Sequence, residues 1–213
     1  MKNTLLRCSF AALSFALSAQ TMAQQVVPTS YTFDQATSCG AWCYHDPSHT
    51  KLTDGVIGNA GWALHQGQEW AAWRYAPLVN IDFSFSSPQS FSSVSIGSTQ
   101  DYLYNVAMPS FDLWSFETNH WALKGSIDNS ANAAVHYDVY SSAPHPVFTF
   151  ENLSFSSNLV RVSLRTNGTN GSYMFVDEVT FQSAPTAVPE PQTYAMLLAG
   201  LGLLGAAVRR RKS

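Results

Sequence analysis

Positively charged residues are scarce in the central part of this 213-residue sequence. Residues 24–187 contain five lysines and arginines against thirteen aspartates and glutamates, which leaves about eight net negative charges. Both ends are basic, so the whole-chain charge of −3 hides this imbalance. Nucleic acids are bound through clustered cations, and this composition therefore argues against a nucleic-acid partner. The five cations are Lys51, Arg74, Lys124, Arg161 and Arg165.

The common catalytic motifs are also missing. The sequence has no Gly-x-Ser-x-Gly elbow, no His-Glu-x-x-His zinc motif and no glycine-rich phosphate loop. Its six histidines form no recognisable triad with the serines. Carboxylates occur singly, and their spacing alone leaves a glycosidase pair open. We therefore expect no enzyme, and a secreted polysaccharide-degrading enzyme is the less favoured alternative.

Long helical periodicity and internal repeats are absent between the two ends of the chain. Short segments rich in β-branched and aromatic residues occur there instead, separated by Gly, Asn, Ser and Pro. This pattern predicts an all-β fold, an antiparallel β-sandwich of about eight strands and of the jelly-roll type. The candidate strands are Val79–Phe85, Phe91–Ile96, Val135–Tyr140, Val147–Phe150, Leu159–Arg165 and Tyr173–Phe181, with a turn at Asn167–Gly171.

The candidate strand before the Asn- and Gly-rich turn has a clear alternation. Successive side chains of a strand point to opposite faces, so Val160, Val162 and Leu164 share one face. Arg161 and Arg165 share the other face. The first set is expected to face the core and the second to face outward.

Cysteine is rare as well, with three in the whole sequence. Cys8 lies in an N-terminal segment that we expect to be removed, which leaves Cys39 and Cys43. An even count in an exported protein favours a disulfide, here closing a small loop. A zinc site formed with His45 and His49 is the alternative, although the spacing matches none of the common zinc fingers.

The N-terminus has the features of an export signal. Lys2 and Arg7 supply positive charge, Cys8–Ala19 is mostly apolar, and Thr21-Met22-Ala23 offers small residues for cleavage. We expect a cleavable signal peptide over residues 1–23. The mature chain would then begin at Gln24.

The C-terminal segment combines three features in a fixed order. Pro189-Glu190-Pro191 comes first, an uncharged apolar run covers residues 195–208, and Arg209–Lys212 supplies positive charge. The prolines favour an extended segment that a protease can read, and the basic cluster marks the cytoplasmic side of a membrane. The run is somewhat shorter than the ~20 residues of a comfortable spanning helix. This order resembles the PEP-CTERM sorting tail of exported Gram-negative bacterial proteins.

The resemblance implies processing by an exosortase, a membrane protease that cuts near the motif. The tail would first hold the chain in the inner membrane as a short transmembrane helix, and the body would then reach the cell surface or extracellular matrix. An ordinary tail anchor is the alternative. The predicted organisation is a signal peptide at residues 1–23, a β-sandwich domain at 24–187 and a sorting tail at 188–213.

Short motifs in the central part resemble galactose-binding-like jelly rolls, a group that includes discoidin-type domains and carbohydrate-binding modules. They are Lys-Leu-Thr-Asp-Gly at residues 51–55, Trp62, Trp-Ala-Ala-Trp at 70–73, Val-Asn-Ile-Asp-Phe at 79–83, and Phe-Val-Asp-Glu-Val-Thr-Phe at 175–181. The likeness spans roughly Tyr31 to Phe181. It implies the same fold and a carbohydrate as the class of ligand.

The same resemblance implies a structural calcium ion. Asp54 and Glu178 would supply side-chain oxygens, Lys51 a backbone carbonyl and Asn59 a weaker ligand, since calcium takes six to eight oxygens. Asp177 would face away from Glu178 if the strand is regular to that point. The alternative is that Asp54 only begins a turn and Glu178 is only solvated.

Tryptophan is abundant, with six in the chain. Trp62, Trp70 and Trp73 adjoin apolar strand candidates and are predicted to lie in the core. The other three lie in stretches rich in Ser, Asn, His and Gly, where we expect loops. Aromatic rings on loops can stack on sugar rings, although a tryptophan that only covers the core is the alternative. The candidate sugar-contacting residues are Trp42, Trp114, His120 and Trp121.

Together these features predict an exported, non-catalytic β-sandwich that contacts exopolysaccharide at the cell surface or in the matrix. An alternative of another class is a purely structural matrix or surface-layer component that binds no sugar.

Overall fold

The computed structural model describes residues 23–39, 43–58, 62, 69–100, 106–130, 145–166, 173–184, 195–196 and 198–202. The chain divides into two compact units, of which one is Ala23–Pro185 and the other combines Met1–Met22 with Thr186–Ser213. Every strand given below lies in the first unit. Two predicted features, the strand at Val135–Tyr140 and the turn at Asn167–Gly171, lie outside the described residues.

The first unit is built from β-strands that pair in antiparallel fashion. A short 3-10 helix, Lys51–Thr53, lies between the second and third strands. The strands are β1 (Gln25–Val26), β2 (Ser30–Phe33), β3 (Ala71–Arg74), β4 (Leu78–Ser98), β5 (Ser110–Glu117), β6 (His120–Ile127), β7 (Val147–Phe150), β8 (Phe155–Arg165) and β9 (Tyr173–Ser183).

Strand β4 belongs to both layers of the sandwich. Its residues 78–84 pair with β2 and β8, whereas residues 94–98 pair with β7 and β9. The register shifts between Ser84 and Gln89, a stretch that contains Pro88, whose backbone has no N–H to donate. One layer therefore has the order β2-β4-β8-β5-β6. The other layer has the order β7-β4-β9, with β1 and β3 along the far side of β9.

The core lies between these two layers. Phe83 of the first layer meets Phe181 of the second edge-on, with ring centroids 5.0 Å apart. Phe111 and Phe148 make a tilted ring contact, with centroids 5.3 Å apart. Burying a side chain of this size stabilises a fold by about 1.5–3 kcal/mol. The predicted all-β antiparallel sandwich is confirmed.

The alternation predicted before the Asn- and Gly-rich turn is also confirmed. Val160, Val162 and Leu164 are fully buried in the core. Arg161 and Arg165 lie on the opposite face of β8 and pair with carboxylates there.

The three tryptophans predicted to be core residues are buried. Trp73 joins the main core, while Trp62 and Trp70 pack in a second cluster with Phe175. Trp62 is the most exposed of the three at 7 %. This second cluster lies on the face of β9 opposite to Met174 and Val176, which belong to the main core.

The C-terminal tail is described only in part. Residues 195–196 and 198–202 are helical, and the rest of the predicted apolar run lies outside the described residues. Within the described residues, no helix has both the length and the apolar character needed to cross a membrane.

Candidate functional site

The outer face of β5 and β6 carries a group of large apolar side chains. Trp114 pairs with Leu123 and Phe116 pairs with Trp121 across the two strands, and paired residues share a face. Leu123 is 52 % exposed and Phe116 is 36 % exposed. The inward face carries Phe111 and Leu113, which are fully buried. We call the four outward side chains Trp114, Phe116, Trp121 and Leu123 the β5–β6 face.

A cation from β8 lies on this face. The Arg161 guanidinium carbon is 4.1 Å from the centroid of the Trp121 ring. Arg161 also donates two hydrogen bonds to Asp82, from Nε to Oδ1 at 2.6 Å and from Nη2 to Oδ2 at 2.8 Å. This fork of bonds to the Asp82 carboxylate raises the pKa of Arg161. The carboxylate therefore fixes the guanidinium in place over the indole.

Polar side chains continue the same face away from the tryptophans. Arg165 donates to both oxygens of Asp112, at 2.7 Å from Nε and 3.1 Å from Nη2. Ser126 donates to Asp112 at 2.7 Å, and Ser163 donates to the Asn80 side chain at 2.6 Å. Burial alone would raise the pKa of Asp112, but the bonds from Arg165 and Ser126 outweigh it and lower the pKa. The result is a row of paired charges and hydroxyl groups.

Trp114 and Trp121 lie on strands, so the expectation that they lie on loops is wrong. The two strands are joined by Thr118 and Asn119, which both have positive φ, at 44° and 66°. Such a two-residue connection joins adjacent strands tightly, but a β-branched threonine seldom takes a positive φ. The turn was therefore hard to find from residue types. His120 begins β6 beside this turn and is exposed.

The structure places Glu178 beside the Asp54–Gly55 turn, and the calcium role that the resemblance implies for Asp54 and Glu178 stays a prediction. Glu178 Oε2 accepts a hydrogen bond from the Gly55 backbone N–H at 3.1 Å, and Gly55 takes a φ of +82° that favours glycine. Asp54 is exposed and accepts from the Val56 N–H at 2.9 Å. Burial raises the pKa of Glu178 to about 7, and the nearby charge of Asp54 adds to this rise.

Asp177 does not face away from Glu178, because β9 is irregular at this point. Ile96 pairs with Val179 and Ser98 with Val176, so two residues of β9 stand opposite Gly97. With this bulge, Asp177 and Glu178 both line one small cavity beside Gly97. Asp177 Oδ2 accepts from the Gly58 N–H at 2.6 Å, and burial raises the pKa of Asp177 to about 6.

The remaining predicted calcium ligands are less well defined. The Lys51 ammonium donates to the Trp70 carbonyl at 3.3 Å, and Asn59 lies outside the described residues. Across the described ranges, no group of three or more His, Cys, Asp or Glu side chains is placed to hold a metal ion. A cation at Asp54 and Glu178 would therefore need backbone carbonyls for most of its ligands. Two adjacent carboxylates, one of them half-buried, fit the side-chain part of such a site.

A buried network holds the short 3-10 helix next to this pair. Tyr31 donates its hydroxyl hydrogen to Asp46 and accepts from the Leu52 N–H at 3.0 Å. Asp46 also accepts from the Thr50 N–H at 3.1 Å. Tyr31 and Asp46 are both buried, so these bonds are shielded from water. They fix the segment that leads into Asp54.

Cys39 and Cys43 form a disulfide, as favoured from the sequence. The zinc alternative is wrong, because sulfurs joined to each other are not available as thiolate ligands. His49 instead stacks on the Tyr31 ring, with centroids 5.7 Å apart. Trp42, a candidate for sugar contact, lies outside the described residues.

Residues 187–212 match the model of the PEP-CTERM protein-sorting motif. The tail is a PEP-CTERM sorting motif. This motif indicates export and sorting to the cell envelope or surface, and it implies processing by exosortase. The match includes Pro189, Glu190 and Pro191. No curated protein shows a match to the sequence.

Solved structures similar to this chain include carbohydrate-binding modules. The C-terminal domain of a chitobiase from Bacteroides fragilis has 10 % identity and a TM-score of 0.50, over 76 % of this chain and 99 % of that one. The family 32 module of NanJ from C. perfringens, in complex with galactose, has 9 % identity and a TM-score of 0.49, over 76 % and 100 %. The family 32 module of EndoD from Streptococcus pneumoniae has 12 % identity and a TM-score of 0.47, over 76 % of this chain and 100 % of that one. At these identities the likeness concerns the fold alone.

Proposed function

We propose that this chain is an exported protein of a Gram-negative bacterium, cut by exosortase, whose β-sandwich binds extracellular polysaccharide without breaking it down. The sorting motif supports delivery to the surface or matrix. The arrangement of Trp121, Arg161 and Asp82 carries the proposal for binding. It places an aromatic ring next to paired, hydrogen-bonding charges on an open strand face.

Sugars are bound by this combination of groups. The C–H groups on one side of a pyranose ring stack on an aromatic ring, while hydroxyls exchange hydrogen bonds with nearby polar groups. Trp121 is only half-buried although Arg161 lies over it, so part of the indole faces solvent. Asp82 and Arg161 hold each other in one geometry, which lowers the entropy lost when a ligand binds.

The charges on this face favour a neutral polymer. Arg161 and Arg165 each have a carboxylate partner, so the face presents donors and acceptors with little net charge. A polyanion would have to displace those carboxylates, and an apolar partner would leave them without solvent or ligand. A hydroxyl-rich chain satisfies both kinds of group.

Calcium is the second part of the proposal. Asp54 and Glu178 would hold the ion with backbone carbonyls, among them that of Lys51, and Asn59 would be a weaker ligand. The ion would neutralise two adjacent carboxylates and tie the segment after the 3-10 helix to β9. Its role would be structural, because Glu178 belongs to the β4–β9 layer and the β5–β6 face to the other.

Retention of the full-length chain, purified in mild detergent, on insoluble and gel-immobilised neutral polysaccharides tests the binding proposal. We expect retention on at least one polymer and a loss of about tenfold or more in Trp121→Ala. The matched control is Val147→Ala, an exposed apolar residue of the other layer that should bind as the wild type does.

Two results would favour the other classes of function. Failure to bind any polysaccharide would contradict the proposal and leave a purely structural matrix protein. Release of new reducing ends during incubation would show an enzyme instead.

A further inference from the structure

A second exposed aromatic and cationic group lies at the end of β3. The Arg74 guanidinium carbon is 4.6 Å from the Tyr75 ring centroid and 5.4 Å from the Tyr173 ring centroid. Arg74 Nη2 also donates to the Tyr75 hydroxyl at 3.0 Å. Arg74 and Tyr75 are exposed, and Tyr75 is 70 % exposed. One guanidinium is therefore held against two tyrosine rings at the surface.

Arg74 differs from the other arginines that the structure describes. Arg161 pairs with Asp82 and Arg165 with Asp112, whereas Arg74 has no carboxylate partner within the described residues. The guanidinium has five N–H donors, of which one bonds to Tyr75. Within the described residues, the remaining donors have no hydrogen-bond partner, and they can therefore pair with an anionic group from outside.

The conformation of Tyr75 also calls for an explanation. Its φ is +56°, a left-handed value that large side chains rarely take. Non-glycine residues persist in such conformations where the surrounding structure holds them, often at binding sites. Here an exposed phenol gains little from burial, so packing does not account for the strain. The strained backbone keeps the ring beside the Arg74 guanidinium.

Neighbouring elements fix Arg74 from the other side. Its backbone N–H donates to Ser38 Oγ at 2.8 Å, and Ser38 N–H donates to the Ala72 carbonyl at 2.7 Å. Ser38 directly precedes the Cys39–Cys43 disulfide. Arg74 also pairs with Tyr173 in the β3–β9 register. The disulfide and the β3–β9 pairing together hold Arg74 in position beside the two tyrosine rings.

We propose that Arg74, Tyr75 and Tyr173 form a binding site for an anionic sugar residue. The carboxylate or sulfate of the sugar pairs with the Arg74 guanidinium, and the sugar ring lies against the exposed Tyr75 ring. Leu78, three residues after Tyr75, pairs with Arg165 of β8, and Arg165 also pairs with Ser110 at the start of β5. Tyr75 therefore lies near the start of β5, whereas the Thr118–Asn119 turn follows the end of that strand. The site is thus separate from the β5–β6 face and does not depend on the function proposed for it.

Three probes built on one sugar ring test this site with the full-length chain at about 0.15 M salt, where long-range attraction is screened. They are oligogalacturonate, the same oligomer with its carboxylates reduced to alcohols, and a sulfated galactan. We expect binding of oligogalacturonate, sulfated galactan or both, and at least tenfold weaker binding of the reduced oligomer. Comparison of oligogalacturonate with the sulfated galactan distinguishes a carboxylate from a sulfate as the preferred group.

Variants locate the binding on the protein. Arg74→Gln should weaken binding at least tenfold, and Arg74→Lys should recover part of it because charge remains without the planar fork. Tyr75→Gly should weaken binding while the unfolding midpoint stays equal or rises, since glycine takes a positive φ freely. A merely structural Tyr75 would lower the midpoint instead. The control is Lys124→Gln, a cation of β6 paired with Glu117.

Several results would overturn the proposal. These are equal binding of the charged and reduced oligomers, equal losses in Arg74→Gln and Lys124→Gln, or no binding of either anionic probe. Polyglutamate carries carboxylates without sugar rings, and equal competition by it would show that the ring contact is wrong. The effect of Trp121→Ala on neutral-polysaccharide binding tests the β5–β6 face and leaves the Arg74 site unaffected.

Discussion

The Arg161 guanidinium lies 4.1 Å from the Trp121 ring centroid, although β5 separates their two strands in the sheet. Both side chains must therefore reach across the outer face of β5 to meet. Asp82, on the far side of β8 from β5, holds Arg161 from behind with two hydrogen bonds. The orientation of Trp121 thus depends on a carboxylate three strands away.

Asp82→Asn should disturb this arrangement without removing any ring. The amide cannot accept both guanidinium bonds, so Arg161 loses its fixed position and the protein loses about 1–2 kcal/mol of unfolding free energy. Polysaccharide binding should weaken as well. Glu151→Gln, an exposed change on the loop after β7, is the control. Unchanged binding in Asp82→Asn would show that Asp82 has no part in the site.

Asp112 should make stability depend on acid pH. Its pKa is lowered in the folded state, so the unfolded chain binds more protons as the solution is acidified. The contribution is present above the ordinary aspartate pKa of about 3.9 and is lost as pH falls through the lowered value. Urea unfolding at about pH 7 and about pH 3 should show this loss in the wild type. Asp112→Asn should be less stable at neutral pH by about 1–2 kcal/mol and should lack this part of the pH dependence.

Gly97→Ala should strongly destabilise the fold. A Cβ at this position would overlap Asp177 Oδ1 and stand 2.8 Å from its Cγ. Asp177 is held by the Gly58 N–H, so its carboxylate cannot move aside freely. We expect a loss of roughly 1–3 kcal/mol in urea unfolding, as for other overpacked sites. Ser93→Ala on the same strand is the control, and equal stability of both variants would mean that the bulge is not tightly packed.

Calcium should raise the thermal unfolding midpoint if Asp54 and Glu178 hold it. A ligand that binds only the native state stabilises it by an amount set by its concentration relative to its dissociation constant. Chelation should lower the midpoint, and Asp54→Ala should abolish the difference between the two conditions. The control is Asp34→Ala, which also removes an exposed carboxylate and should keep the difference in midpoint between calcium and chelation. An unfolding midpoint that stays the same after chelation would show that Asp54 and Glu178 hold no calcium.

The sequence predicted the parts of this molecule that depend on local pattern. The alternation from Val160 to Arg165 was clear because one face of β8 is core and the other carries charge. The sorting motif at Pro189–Pro191 was clear because it is linear and lies in a fixed order with its neighbours. Asp54 and Glu178 were paired through a resemblance, since nothing local joins residues so far apart.

Other features depend on contacts that no local pattern carries. The β5–β6 hairpin was missed because Thr118 takes a positive φ that its residue type disfavours. Val79–Phe85 and Phe91–Ile96 were predicted as two strands, but the backbone continues through Pro88 from one layer to the other. The direction of Asp177 depends on a bulge opposite Gly97, and the position of Arg161 depends on Asp82.

Calorimetric titration of a neutral oligosaccharide, cut from the polymer that retains the chain, tests the central claim most directly. Wild type, Trp121→Ala and Tyr75→Ala would be compared under the same conditions. The β5–β6 face predicts binding by the wild type and Tyr75→Ala, and at least about tenfold weaker binding, or about 1.4 kcal/mol, in Trp121→Ala. Equal affinity of the wild type and a folded Trp121→Ala would contradict it.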